Sequence, residues 1–227
     1  MHPMLKKLYV IRAGKPVEAT IRRYGDEDAE GLIRVQEASF PPPYPHELLW
    51  NREQIRQHAA RFPEGALCAV VEGEIVGSMT GMLTDGRLAG DHDWAAVTDS
   101  GYIRNHDPQG DTLYVVDICV TPEYRKSGIG KWLMQTMYET VVHLGKARLL
   151  GGGRLPGYHR HAAELKPQQY VDAVLKGDLH DPVLTFLLRC GRMPAGIAEN
   201  YLEDEESCHY AALMEWRNPF LIREPKN

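Results

Sequence analysis

Between Val120 and Lys131 the chain reads Val-Thr-Pro-Glu-Tyr-Arg-Lys-Ser-Gly-Ile-Gly-Lys, and side-chain bulk is missing at Gly128 and Gly130. The residues before it, Leu113 to Val120, are almost all apolar and β-prone. Those after it set Ile129, Leu133, Met137 and Val141 four apart, on one helical face. A strand that enters a helix through such a turn presents consecutive backbone N–H groups at the positive end of the helix dipole. An anion is the natural guest, favoured by about 0.3–1 kcal/mol at an exposed site and up to about 2 kcal/mol when partly buried. The spacing is neither the G-x-x-x-x-G-K-[ST] of a nucleotide P-loop nor the G-x-G-x-x-G of a dinucleotide site. Two other clusters invite a chemical reading. His159 and His161 lack a third ligand at fixed spacing, so no metal site is expected. Glu203-Asp204-Glu205-Glu206 reads as a solvated hairpin turn rather than a cation site.

The elements that position the turn follow from pattern. Thr20 to Tyr24 predicts a strand, and Asp26 can cap a helix that runs through Ile33 and Glu37. Phe40-Pro41-Pro42-Pro43-Tyr44-Pro45 cannot be helical, because proline removes N–H donors and restrains the residue before it. A second helix follows over about Asn51 to Arg61. Ala66 to Val71 and Ile75 to Met82 predict a hairpin turning at Glu72-Gly73-Glu74. Thr84 to Gly110 is polar and aperiodic, and predicts a surface excursion over the site. Strand Leu113 to Val120, the glycine-turn helix and Ala147 to Gly151 form a parallel strand-helix-strand crossover. Pro167 to Leu175 predicts a short helix, and Asp181 to Cys190 another, with Pro182 at its start and Gly191 past its end. Met193 to Tyr201 and His209 to Trp216 close the sheet as a hairpin.

A chain of 227 residues with 43% hydrophobic content can bury one good core, so residues 1–227 are expected to form one domain, with an insertion at about 154–180. The net charge of −5 and the scatter of Lys and Arg argue against nucleic acid. No apolar run reaches membrane-spanning length, and the apolar part of Met1 to Arg12 is too short for a signal peptide. The expected compartment is the cytoplasm. Cys68, Cys119, Cys190 and Cys208 show no paired spacing and read as reduced core thiols.

Val-x-Pro-x-Tyr-Arg-x-x-Gly-x-Gly, from Val120 to Gly130, resembles the pyrophosphate-binding motif of the GCN5-related N-acetyltransferase (GNAT) superfamily, whose members bind acetyl-CoA. The resemblance extends over roughly Ile21 to Pro219 and is sharp at the central motif. It implies an α/β (α+β) fold: a central mixed, mostly antiparallel sheet splayed at its two parallel middle strands and flanked by helices. It also implies that Arg125, Lys126, Ser127, Gly128, Ile129, Gly130 and Lys131 hold the pyrophosphate, and that the pantetheine arm bonds to the strand at Ile118, Cys119 and Val120. Gly151-Gly152-Gly153 on the next strand would suit the same close approach.

Acyl transfer to an amine needs a neutral nitrogen about 3 Å from the thioester carbon and donors for the developing oxyanion, which backbone N–H groups at Val120 could supply. Many members of the superfamily add a tyrosine that protonates the leaving thiolate, and aligning Asp181-Pro182 through Gly191 on that pattern puts Leu187 at the position. Tyr201, Tyr158 and His159 are the candidate substitutes. Gln36 to Phe40 and Arg61 to Glu64 loosely resemble serotonin N-acetyltransferase, but the positions of its two base histidines are Tyr114 and Val116 here. Asp117 is the carboxylate candidate on that strand, although period-two alternation sends it to the opposite face unless a bulge intervenes; Glu37 is the other candidate. Phe40, Tyr44 and Trp50 would line the acceptor pocket, with Tyr158 of the insertion near it. The implied function is acetyl-CoA-dependent transfer to a primary amine of a small molecule, without a metal; a homodimer is left open. The alternative is a catalytically weak acyl-CoA-binding module that regulates or accompanies another protein.

Overall fold

The β-branched run before the glycine turn forms an inner strand of an eight-stranded sheet in a computed structural model that describes residues 5–42, 44–86 and 93–221. In chain order the strands are β1 (Leu5–Arg12), β2 (Lys15–Arg23), β3 (Ala66–Val71), β4 (Glu74–Thr84), β5 (Thr112–Val120), β6 (Arg148–Arg154), β7 (Met193–Ala198) and β8 (Ala211–Arg217). Their spatial order is β1-β2-β3-β4-β5-β6-β8-β7. Every neighbouring pair is antiparallel except β5 and β6, whose parallel register covers only Thr112 to Tyr114 against Arg148 to Leu150. Beyond Tyr114 and Leu150 the two strands part. The sheet therefore opens at its one parallel junction, as the resemblance implies.

Helices cover both faces. On one lie α1 (Ala29–Ser39) and α2 (Arg52–Arg61), whose Asn51 N-cap accepts from the Gln54 N–H while the Gln54 side chain returns to the Asn51 N–H. On the other lie α4 (Ile129–His143) and α6 (Pro182–Arg189), in contact where Phe186 meets Gly130. The α6 helix begins as its sequence predicts. Asp181 accepts from the N–H groups of Val183 and Leu184, and Pro182 occupies the first turn, where its missing donor costs nothing. Between β6 and α6 lies α5 (Pro167–Lys176), fastened by Tyr170 Oη donating to Asp181 at 3.0 Å.

Three expectations are corrected. The first strand is β1, not the strand starting near Thr20: Ala13 and Gly14 take positive φ (48° and 78°), which makes Arg12 to Lys15 a tight hairpin. Thr84 to Gly110 is not merely a surface excursion. Residues 87–92 lie outside the described residues, but the rest carries α3 (Trp94–Thr98) and buries Trp94, Thr98 and Ile103. The acidic run is not simply solvated either, since Asp204 is buried and takes both Nε and Nη2 of Arg154 at 2.7 Å. A polar, aperiodic segment hides such burial because the partners are far away in sequence.

Candidate active site

The phosphate-type turn has the geometry its residues predict. Gly128 has φ +103°, Lys126 φ 64°, and the first intrahelical bond of α4 is Trp132 N–H to Gly128 O at 3.0 Å. The N–H groups of Gly128, Gly130 and Lys131 have no partner among the described residues. These are the orphan donors of a helix start, available to an anion. A Cβ at Gly128 would meet nothing nearer than Trp132 Cδ1 at 4.0 Å, so the space above it is open. The other residues of the turn differ in role. Ser127 is buried, and its hydroxyl turns inward to Tyr124 O at 2.6 Å; Arg125 donates to Ser39 O at 3.0 Å, tying the turn to the end of α1; Lys126 and Lys131 are exposed. Gly130 packs under Phe186. The donor set fits a pyrophosphate.

A bulge decides where Asp117 points. In the β4/β5 register Thr80 lies opposite Asp117 but Gly81 lies opposite Val115, so Val116 is the extra residue. Thr80 and Met82 share a face of β4, and their partners Asp117 and Tyr114 therefore share a face of β5. Gln36 of α1 reaches this face, with Nε2 donating to Asp117 at 2.7 Å and lying 3.4 Å from Cys119 Sγ. Burial pushes the Asp117 carboxyl up to about 6, against the opposing effect of the Gln36 hydrogen bond. Cys119 is buried and its thiol is raised well above its ordinary value, so it is not a nucleophile. Glu37 is exposed on α1.

Tyr201 arrives on the same face from the loop between β7 and β8. Its Oη lies 3.0 Å from Tyr114 Oη, and both phenols are held above their ordinary range chiefly by burial. The glycines of β6 make room for this packing. A Cβ at Gly152 would stand 2.3 Å from Tyr201 Cζ, one at Gly153 2.6 Å from Leu187 Cδ1, and one at Gly151 3.0 Å from Val115 Cβ. The expectation that Gly151, Gly152 and Gly153 leave space for a ligand is thus corrected: side chains of this chain fill it.

Of the residues expected on the acceptor side, Phe40 and Tyr44 lie together in the proline-rich loop and Trp50 lies in the core, with Pro43 outside the described residues. Phe40 and Tyr44 stack at 4.7 Å, and Arg154 from the end of β6 lies over the Tyr44 ring at 5.1 Å. Tyr44 feels the charges of Asp117, Arg154 and Asp204, which locates it beside the site. Trp50 is buried against Trp94 (6.1 Å) and His58 (5.0 Å), and its Nε1 has no hydrogen-bond partner. Tyr158, in the segment between β6 and α5, is buried and donates to Leu165 O at 2.9 Å, while His159 is exposed, its Nδ1 near Pro156 O and Glu206 O.

Sequence reasoning missed a relay behind the site. His58, fully buried and with a pKa lowered by desolvation to about 4, is neutral; Nε2 faces Gly101 O at 2.6 Å and must carry the proton. Nδ1 then accepts from Tyr24 Oη (3.0 Å), whose oxygen accepts from Thr80 Oγ1 (2.8 Å). Trp94, also missed, donates to the bulge carbonyl of Val116 at 3.0 Å. No local signal marks these groups, since each is recognised only by a partner remote in sequence. Among the described residues no group of three His, Cys, Asp or Glu is placed to hold a metal, and no helix is long and apolar enough to cross a membrane.

A mostly antiparallel sheet opened at its one parallel pair, with a glycine turn leading into the helix between those two strands, is the architecture of the GNAT acyltransferases. Residues 29–152 match the Acetyltransferase (GNAT) family, more than half of the chain. The chain belongs to that family, and it is an N-acetyltransferase of the GNAT type. It is 54% identical over 218 residues, 96% of both chains, to the uncharacterized N-acetyltransferase YkwB of Bacillus subtilis (strain 168). It is 38% identical to the probable hydrolase YhcX of the same organism, matching 95% of this chain but only 41% of that longer protein. Among solved structures, a GphF GNAT-like decarboxylase in complex with isobutyryl-CoA has the same fold, with a TM-score of 0.72, 24% identity and coverage of 87% of this chain and 98% of that one.

Proposed function

We propose that the protein transfers an acetyl group from acetyl-CoA directly to the primary amine of a small molecule. The observation that supports this best is the Val116 bulge, which sets Asp117 and the Tyr114–Tyr201 pair on one face at the point where β5 and β6 part. Asp117, held up to about 6, is a base matched to neutral pH: ionised there, and able to take the proton that the neutral amine sheds once its nitrogen has bonded to the thioester carbon. Tyr201 is the proton donor to the departing thiolate, in the role that Leu187 cannot fill. His159 is assigned to holding its loop rather than to proton transfer, because its Nδ1 is occupied with Pro156 O and Glu206 O. The turn from Arg125 to Lys131 holds the pyrophosphate, and the open edge of β5 at Ile118, Cys119 and Val120 receives the pantetheine arm. Phe40 and Tyr44 form the acceptor wall, and Trp50, buried against Trp94 and His58, supports it from the core rather than touching the acceptor.

The test is release of free thiol from acetyl-CoA across a panel of primary amines. Gly128→Ala accompanies it: the added methyl group has open space in the protein and at φ +103° costs about 1–3 kcal/mol of backbone strain. Acetyl-CoA should bind the folded variant at least tenfold more weakly by calorimetry. Unchanged affinity would move the cofactor elsewhere, and tight binding of acetyl-CoA with no turnover on any amine would favour the acyl-CoA-binding module.

A further inference from the structure

Arg192 follows α6 and is the largest side chain in the molecule to be almost completely buried. Its Nη2 donates to Gly151 O at 3.2 Å and to Met214 O, its Nε has no partner, and it forms no ion pair with a carboxylate among the described residues. Buried guanidinium groups are ordinarily paired, because an uncompensated charge in the core opposes folding. This one lies against the Gly151 side-chain position, on the sheet face opposite the one where Tyr201 rests on Gly152, so its charge reaches the phenols across β6 just past Leu150 and Tyr114, where the sheet opens. The titratable groups within range of its charge are Tyr138 from α4, Tyr201 from the β7–β8 loop, Tyr114 from β5 and Cys190 from the end of α6. All are neutral acids that become anions on losing a proton. Desolvation lowers the guanidinium's own pKa to about 10, and its field favours the ionised forms of Tyr114 and Tyr201.

We propose that Arg192 is a positioning residue for the proton donor: its unpaired charge offsets the negative charge that reaches the Tyr114–Tyr201 pair when Tyr201 protonates the leaving thiolate. The inference rests on the proposed function, which makes Tyr201 that donor. The Tyr201 O–H bond breaks and an S–H bond forms on coenzyme A. The negative charge passes from sulfur to the paired phenol oxygens, 3.0 Å apart. The proton that the attacking nitrogen gives to Asp117 then returns the phenol to its neutral form. A cation fixed by two carbonyls needs no reorganisation during this step.

Arg192→Met removes the charge and Arg192→Lys keeps it, so the pair separates charge from packing. On acetyl-CoA, Arg192→Met should lower kcat about 100-fold and Arg192→Lys less than tenfold, with little change in KM for the amine. On S-(4-nitrophenyl) thioacetate, whose thiolate leaves without protonation, Arg192→Met should cost less than threefold. Ultraviolet titration should show the tyrosine ionisation that is absent from Tyr201→Phe moving to higher pH in Arg192→Met. Equal losses on both thioesters, equal losses in the Lys and Met variants, or an unmoved tyrosine titration in the folded proteins overturns the proposal. If the wild-type chain acetylates no amine, the functional reading fails by itself, and the tyrosine titration still decides the role of Arg192.

Discussion

At Asp117, burial costs stability and, on the proposed mechanism, brings the base towards neutral pH. Its carboxyl is raised from 3.8 to about 6, so the folded chain holds this proton more tightly than the unfolded chain does. The destabilisation is absent below pH 3.8, develops towards pH 6 and is fully present above it. Asp117→Asn should therefore raise the melting temperature at pH 7.5, and the gain over wild type should shrink on acidification through that window. The same substitution should lower kcat by about 10²–10⁴. With an acceptor that is already neutral in this range, such as an aromatic primary amine, wild-type kcat/KM should rise with pH and level off above about 6. A flat profile through that range would remove Asp117 from the role of base. Leu187 packs over Gly153 and Tyr201 over Gly152, neighbours on β6 whose side-chain positions face opposite sides of the sheet. The phenol thus stands on the face opposite the one that Leu187 occupies.

Two elements hold that arrangement. The three glycines of β6 are seats for side chains, so Gly152→Ala should press a methyl group into Tyr201 and cost about 1–3 kcal/mol of stability. Its kcat should fall towards that of Tyr201→Phe while acetyl-CoA affinity stays within twofold, as measured by steady-state kinetics and calorimetry. The proline-rich loop is pinned from the far side by Arg154, which Asp204 grips through two hydrogen bonds beneath the Tyr44 ring. Arg154→Ala should release the loop and raise KM for the amine severalfold, leaving KM for acetyl-CoA unchanged. Parallel increases in both constants would show that the loop serves the whole site.

Across the whole molecule, the N-terminal hairpin braces the cofactor turn. Ile11 N–H donates to Ser127 O at 3.2 Å from the outer edge of β1, and Arg12 lies over the Tyr124 ring at 4.5 Å. Ile11→Pro removes that donor without touching the β1/β2 ladder, and should weaken acetyl-CoA binding severalfold with a small change in melting temperature. An unchanged affinity would show that the turn holds its shape without the brace. The sequence by itself determined the glycine turn, the helices on either side of it, the β3–β4 hairpin and the parallel crossover, because local periodicity, proline and glycine act within a few residues. It also showed that the usual tyrosine was missing at Leu187 and that Asp117 needed a bulge to be useful. Only the tertiary structure decided that the bulge exists, that Tyr201 rather than a ligand lies on Gly152, and that Arg192 is buried with no carboxylate partner among the described residues. Strand register and remote burial depend on which segments meet across the sheet, and no window of neighbouring residues carries that information.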